Sequence, residues 1–179
     1  MPMRRSAAAQ SWAVTSMAAG VEFGDLNWLA IAIAVVVNMI LGFLWYSPKM
    51  PTGKIWMRDM KIPADAKPTP GQMAKGLILM IVGSFLVMFV FAHTVVAYND
   101  SYRLDCTGEG EPAGCDGPGE WDLTIMDGLM GGFFTWIGFF VPLLWSAQAW
   151  EGKPWSLFFV NAAYYLVTLL IAGTLLVVV

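Results

Sequence analysis

Residues 155–179 read WSLFFVNAAYYLVTLLIAGTLLVVV, twenty-five consecutive positions without a charge. Coiled into a helix at 1.5 Å per residue, such a run is about 37 Å long, more than the roughly 30 Å of a bilayer's hydrocarbon. In lipid every backbone N–H and C=O must find its partner inside the segment, and that requirement selects a helix. Three more runs of this kind precede it: 27–46, interrupted by Asn38; 76–98, with Ser84, His93 and Thr94; and 123–145, with Asp127 near its start and Pro142 near its end. The short alternating strands of a membrane barrel are absent. The expected fold is therefore all-α, a four-transmembrane-helix bundle whose two helical hairpins are candidates for a repeat. One membrane domain, 27–179, carries spans at about 27–46, 76–98, 123–145 and 155–179, behind an N-terminal extension, 1–26, expected to be flexible.

Composition agrees. Of 179 residues, 58% are apolar and 13% charged, and mean hydropathy is +0.62, whereas a soluble domain carries about 25% charge. A net charge of −3 is too small and too unevenly spread for a nucleic-acid partner. Its sidedness says more. Lys49, Lys54, Arg58, Lys61, Lys67 and Lys75 fall between the first two spans, and Lys153 lies in the last turn. Between the second and third spans Arg103 stands among Asp100, Asp105, Glu109, Glu111, Asp116, Glu120 and Asp122. Basic loops stay cytoplasmic. Loop 48–75 is therefore expected inside, with the acidic loop 99–122 and both termini outside. Arg4 and Arg5 run against that sidedness. The Ala-rich stretch 1–20, carrying Gln10, Ser11 and Thr15, reads as a tail more than a cleaved leader, with Met17 a second candidate start.

Helix-end chemistry supports these boundaries. Thr69-Pro70-Gly71-Gln72 is a capping-box pattern that starts the second helix ahead of its span. Ser47-Pro48 stops the first helix after Trp45-Tyr46, an aromatic belt. Glu151-Gly152-Lys153-Pro154 is a tight polar turn between the third and fourth helices. Leu44-Trp45-Tyr46-Ser47 with Gly53-Lys54-Ile55-Trp56 resembles Leu144-Trp145-Ser146 with Gly152-Lys153-Pro154-Trp155. Duplication of a helix and its loop accounts for the likeness, and chance with interface chemistry common to both ends accounts for it equally well. The mixed apolar and basic stretch 55–62 suits a short interfacial helix.

Each candidate for chemistry has a plainer alternative. Cys106 and Cys115, nine positions apart on the expected outer side, are expected to close a disulfide loop over two free thiols, and a spacing that is not C-x-x-C leaves metal or redox chemistry little support. The acidic cluster around them lacks the spacing of a calcium loop and reads as solvated surface. His93, the lone histidine, is either hydrogen-bonded within the bundle or a relay or axial ligand, polar groups inside a membrane being costly. Asp127 suits the positive end of a helix dipole, over ion coupling. Gly128, Gly131, Gly132, Thr135 and Gly138 recur at three-to-four spacing, a small-residue face for close helix packing, and Pro142 suggests a kink. Asn38, His93, Asn161 and Tyr165 are the obvious lining for a polar cavity, and interhelical hydrogen bonds are the alternative. Tyr164 and Thr168 extend that polar stripe.

Asn27-Trp28-Leu29-Ala30, then Gly42-x-x-Trp45-Tyr46-Ser47-Pro48 and Gly53-Lys54-x-Trp56-Met57, resemble a widespread bacterial family catalogued as a domain of unknown function with four predicted membrane spans. Leu157-Phe158-Phe159-Val160-Asn161-Ala162-Ala163-Tyr164-Tyr165 is similar to its last-helix motif, an apolar run leading to Asn-Ala-Gly-Tyr-His. The resemblance covers about 27–174. This chain has Ala163 for the family's Gly and Tyr165 for its His, which removes a histidine-based role there. The resemblance implies topology and no activity.

No nucleophile–base set, phosphate-binding Gly loop or metal motif is present, so neither catalysis, a cofactor nor a metal is expected. Two functions compete: a structural or accessory membrane component that packs as a homo-oligomer or with other membrane subunits, and a small transporter with a polar path. The lipid bilayer is the expected partner in both. Cysteine chemistry tests the sidedness. Single cysteines placed at Lys61 or Lys153, in a chain lacking Cys106 and Cys115, should be shielded from an external thiol reagent, and one at Glu109 should react. External labelling at Lys61 without labelling at Glu109 would reverse the topology.

Overall fold

Asn27 starts the first helix as its N-cap, its side-chain oxygen accepting from the Ala30 N–H at 2.9 Å. The computed structural model describes residues 26–63, 66–105 and 124–179. They form helices α1 (Trp28–Trp45), α2 (Pro51–Asp59), α3 (Pro70–Asp105), α4 (Ile125–Glu151) and α5 (Trp155–Val178). Four of these, all but α2, are long and apolar enough to cross a membrane. Cys106, Cys115 and the extension through residue 25 lie outside the described residues.

Two helices outrun their apolar stretches. The Thr69–Gln72 capping box is formed, Thr69 N–H donating to the Gln72 side chain at 2.9 Å and Gln72 N–H to the Thr69 hydroxyl at 3.3 Å. It starts α3 six residues before the expected span at 76, and the helix continues seven residues past 98 to Asp105. Residues 70–79 are exposed on every side, so α3 meets the bundle only from Met80 onward. Helix α4 continues past 145 to Glu151, and Gly152 ends it in the left-handed conformation, φ 62°, where glycine meets no Cβ penalty.

The kink expected at Pro142 takes the form of a π turn just ahead of it. Trp136–Phe140 coil with one extra residue per turn, and the Val141 N–H reaches back to the Trp136 carbonyl. Proline has no N–H to donate, and its ring crowds the carbonyl four residues back. An extra residue in the preceding turn relieves that crowding.

Helix α5 is the hub. It packs against α1, α2 and α4, while α3 packs mainly on α1. The closest approach is between α4 and α5. A Cβ on Gly128 would overlap the Gly173 carbonyl, a Cβ on Gly173 would overlap the Gly128 carbonyl, and a Cβ on Gly132 would stand 2.7 Å from the Leu169 oxygen. Gly131 faces Val95 and Phe91 of α3 at ordinary distance, and Gly138 faces open space, leaving it outside this contact. Gly173, overlooked in the sequence, is the other half of the crossing. A glycine in an otherwise bulky apolar run was the only signal for it.

The apolar core, Ile31, Ala34, Met88, Phe91, Ala92, Val95, Leu169 and Ala172, fills the end of the bundle away from loop 48–75. The likeness between the two helix-and-loop stretches does not extend to the roles of their glycines. Gly53 is buried in α2 against the Ser47 backbone, whereas Gly152 is an exposed cap.

The crossing makes a prediction from chemically identical changes. Gly128→Ala should destabilise the detergent-solubilised protein by about 1–3 kcal/mol through overpacking. Gly138→Ala should be neutral or mildly stabilising, since alanine is the better helix former. Comparing the two melting temperatures checks it, and equal tolerance would mean that α4 and α5 do not cross there.

Candidate functional site at the junction of α1, α3 and α5

Asn38 lies on the buried face of α1 between α3 and α5. Its amide nitrogen donates to the Ser84 hydroxyl of α3 at 2.8 Å. Its side-chain oxygen accepts from two hydroxyls of α5, Tyr164 at 2.7 Å and Thr168 at 3.0 Å. All four residues are buried. One amide thus joins three helices, a use that its lone position within 27–46 did not disclose. Tyr164 and Thr168 are four residues apart on α5, so they present their hydroxyls on one face.

Two turns along α1, beside loop 48–75, is a second cluster. The Tyr46 hydroxyl donates to the Asn161 side-chain oxygen at 3.0 Å, and the Trp45 indole N–H donates to the Val160 carbonyl at 3.1 Å. The Tyr46 ring lies 5.2 Å from Tyr164 and 5.3 Å, edge-on, from Trp56 of α2. Gly42 is close to the Tyr164 hydroxyl and the Met80 methyl, so a larger residue there would push into both clusters. The stretches 42–56 and 157–165, read separately in the sequence, therefore meet face to face.

The four residues named as a polar lining do not converge on one space. Asn38 and Asn161 belong to neighbouring clusters bridged by Tyr164. The Tyr165 ring lies between Phe140 of α4, at 4.7 Å, and Tyr164, which it meets edge-on at 5.3 Å. His93 is on α3, nine residues beyond Ser84 and so about 13 Å along the axis. Its Nδ1 is 3.1 Å from the Phe89 carbonyl one turn back, and its ring meets the Phe89 ring edge-on at 4.5 Å. Among the described residues no buried side-chain nitrogen or oxygen lacks a partner. A shallow groove of about 290 Å³ lies elsewhere, between α4 and α5, lined by Leu129, Leu170, Ile171, Thr174 and Leu175.

At the ends of the helices, polar groups serve as clasps. Asp127 completes a capping box on α4. The Thr124 N–H donates to its carboxylate at 2.8 Å and the Asp127 N–H donates to the Thr124 hydroxyl at 3.4 Å. The sequence reading placed that carboxylate against the helix dipole and missed the reciprocal bond. Asp59, at the end of α2, accepts from Arg58 at 2.8 Å and from the Ser156 hydroxyl at the start of α5. Arg58 first, and Ser156 after it, hold the Asp59 carboxyl below the usual carboxylate range. No group of three or more His, Cys, Asp or Glu residues is arranged to hold a metal among the described residues.

A family model described as "Protein of unknown function (DUF1761)" matches residues 29–177. No curated protein and no solved structure matches the chain.

The Asn38 network can be tested by a double-mutant cycle. Asn38→Ala and Thr168→Val should couple by about 0.6–1.7 kcal/mol, the range found for interhelical bonds in membranes. Thermal or denaturant unfolding of the four proteins in detergent measures it. Strict additivity would mean that the two side chains do not bond.

Proposed function

Because the chain belongs to the DUF1761 family of proteins of unknown function, we propose a role from its own geometry: a structural or accessory component of a bacterial inner membrane that packs as an oligomer or within a larger complex. The pairing of the polar side chains is what supports this reading. A transporter needs polar groups facing a wet path, and here Asn38, Asn161, Tyr164 and Thr168 bond to one another or to neighbouring helices. Such bonds rigidify a bundle.

The uncovered faces suggest where a partner would lie. On α3, Gly76 and Gly83 have no heavy atom within 4 Å of a would-be Cβ. Seven residues apart, they share a face, and residues 70–79 around them are exposed throughout. In lipid, burial from water does not drive helix association, and small residues that admit close backbone contact do. The proposed sidedness puts loop 48–75 in the cytoplasm and Cys106 and Cys115, as a disulfide, outside.

Native mass spectrometry of gently extracted protein tests the reading. The wild-type chain should appear as a homo-oligomer or with a membrane partner, and Gly76→Leu with Gly83→Leu should release the monomer. A partnerless monomer in which a cysteine at Asn38 or Asn161 reacts readily with a water-borne thiol reagent would overturn it in favour of a transporter.

A further inference from the structure

Helix α2 is held to the bundle along one face and carries cations along the other. On the held face, Gly53 lies against the Ser47 backbone, Trp56 meets Tyr46, and Asp59 bonds Ser156 of α5. On the open face, Lys54 and Arg58 stand one turn apart, both exposed, with Arg58 reaching back to donate to Asp59 at 2.8 Å and to the Ser156 hydroxyl at 3.4 Å, and exposed Lys61 follows in the turn that ends the helix. That turn is a closed C-terminal motif. The Ile62 N–H donates to the Met57 carbonyl at 2.9 Å and the Lys61 N–H to the Arg58 carbonyl at 3.1 Å. Lys61 takes the left-handed position, φ 54°, which ordinarily goes to glycine. Here it adds a third cation to the row.

Lys49, Lys67 and Lys75 are exposed at the same end. Among the described residues no carboxylate pairs with Lys49, Lys54, Lys61, Lys67 or Lys75, since Asp59 is held by Arg58 and Ser156. Met50 and Met60, each 44% exposed, lie among these cations. Cations interleaved with exposed thioethers, beside the ends of spanning helices, match the boundary between lipid headgroups and acyl chains.

We propose that the open face of α2 and the turn after it dock the phosphate headgroups of anionic phospholipids, with Lys54 and Lys61 as the contacting cations. This rests on the membrane reading above. The cations stand at the bundle end where headgroups would lie, so the phosphate comes from lipid and not from solution. Each cation close to an anionic surface strengthens attachment by about fivefold.

The test uses the full chain in a neutral detergent, melted with added phosphatidylglycerol, phosphatidylcholine or inorganic phosphate. Phosphatidylglycerol should raise the melting temperature by a few degrees, and 0.5 M salt should shrink the gain by screening. Lys54→Gln with Lys61→Gln should remove most of it. Both side chains are exposed, and the Arg58–Asp59–Ser156 contacts stay intact in this variant. The control Arg103→Gln, near the far end of α3, should keep the gain. Equal gains from phosphatidylcholine, an equal gain from phosphate alone, or a gain undiminished in the double variant would each overturn the lipid surface. If the chain still fractionates with membranes, the membrane reading survives that result. Recovery in the aqueous fraction would overturn both.

Discussion

A side-chain amide buried among apolar helices has no water to bond with, and Asn38 meets that constraint by bonding to three hydroxyls on two other helices. Leaving a buried polar group unpaired costs more than a typical hydrogen bond contributes. The arrangement is therefore directional: α1 seats itself where Ser84 of α3 and Tyr164 with Thr168 of α5 are all in reach. Apolar packing alone would let these helices slide or rotate at small cost. The amide defines both depth and rotation. It also accounts for α5 as the hub, because two of the three partners lie on that helix.

The other side of α5 is organised by the opposite principle. Where Gly128 meets Gly173, and Gly132 meets Leu169, backbone touches backbone and no side chain intervenes. Dispersion over that close contact is individually weak and collectively substantial. Polar bonds orient α5 against α1, and close packing presses α4 onto its far side. The π turn at Trp136–Phe140 sits beyond the crossing, and Trp136 bonds back to the Ala162 carbonyl at 2.8 Å. The irregular turn thus remains tied to the hub while the helix adjusts to Pro142.

The junction beside loop 48–75 joins these parts to α2. Tyr46 bonds Asn161 and meets Trp56 edge-on, and Asp59 reaches Ser156, so α2 is fastened at both its middle and its end. A loop anchored in this way presents a defined cationic surface, in contrast to a loosely tethered linker. The orientation of that surface is a consequence of Tyr46, Trp56 and Gly53 together with the Asp59–Ser156 bond.

Length and polarity, read along the chain, were enough to determine the number of apolar helices, the capping box that starts α3 and the gathering of basic residues in one loop. Each depends on local chemistry: backbone bonding within one segment, a cap within four residues, or charge in a connection. The Gly128–Gly132 pattern likewise announced a close packing face, but it could not name Gly173, because the partner of a contact is not encoded at the contact's own position. Nor could spacing tell which of Asn38, His93, Asn161 and Tyr165 belong together. An amide in one helix can be satisfied in a polar cavity or by a hydroxyl 126 residues away, and only the rotation of each helix about its axis chooses. That rotation is settled by all the contacts at once, so the pairing of Asn38 with Tyr164, of Tyr46 with Asn161, and of Tyr165 with Phe140 belonged to the tertiary structure alone.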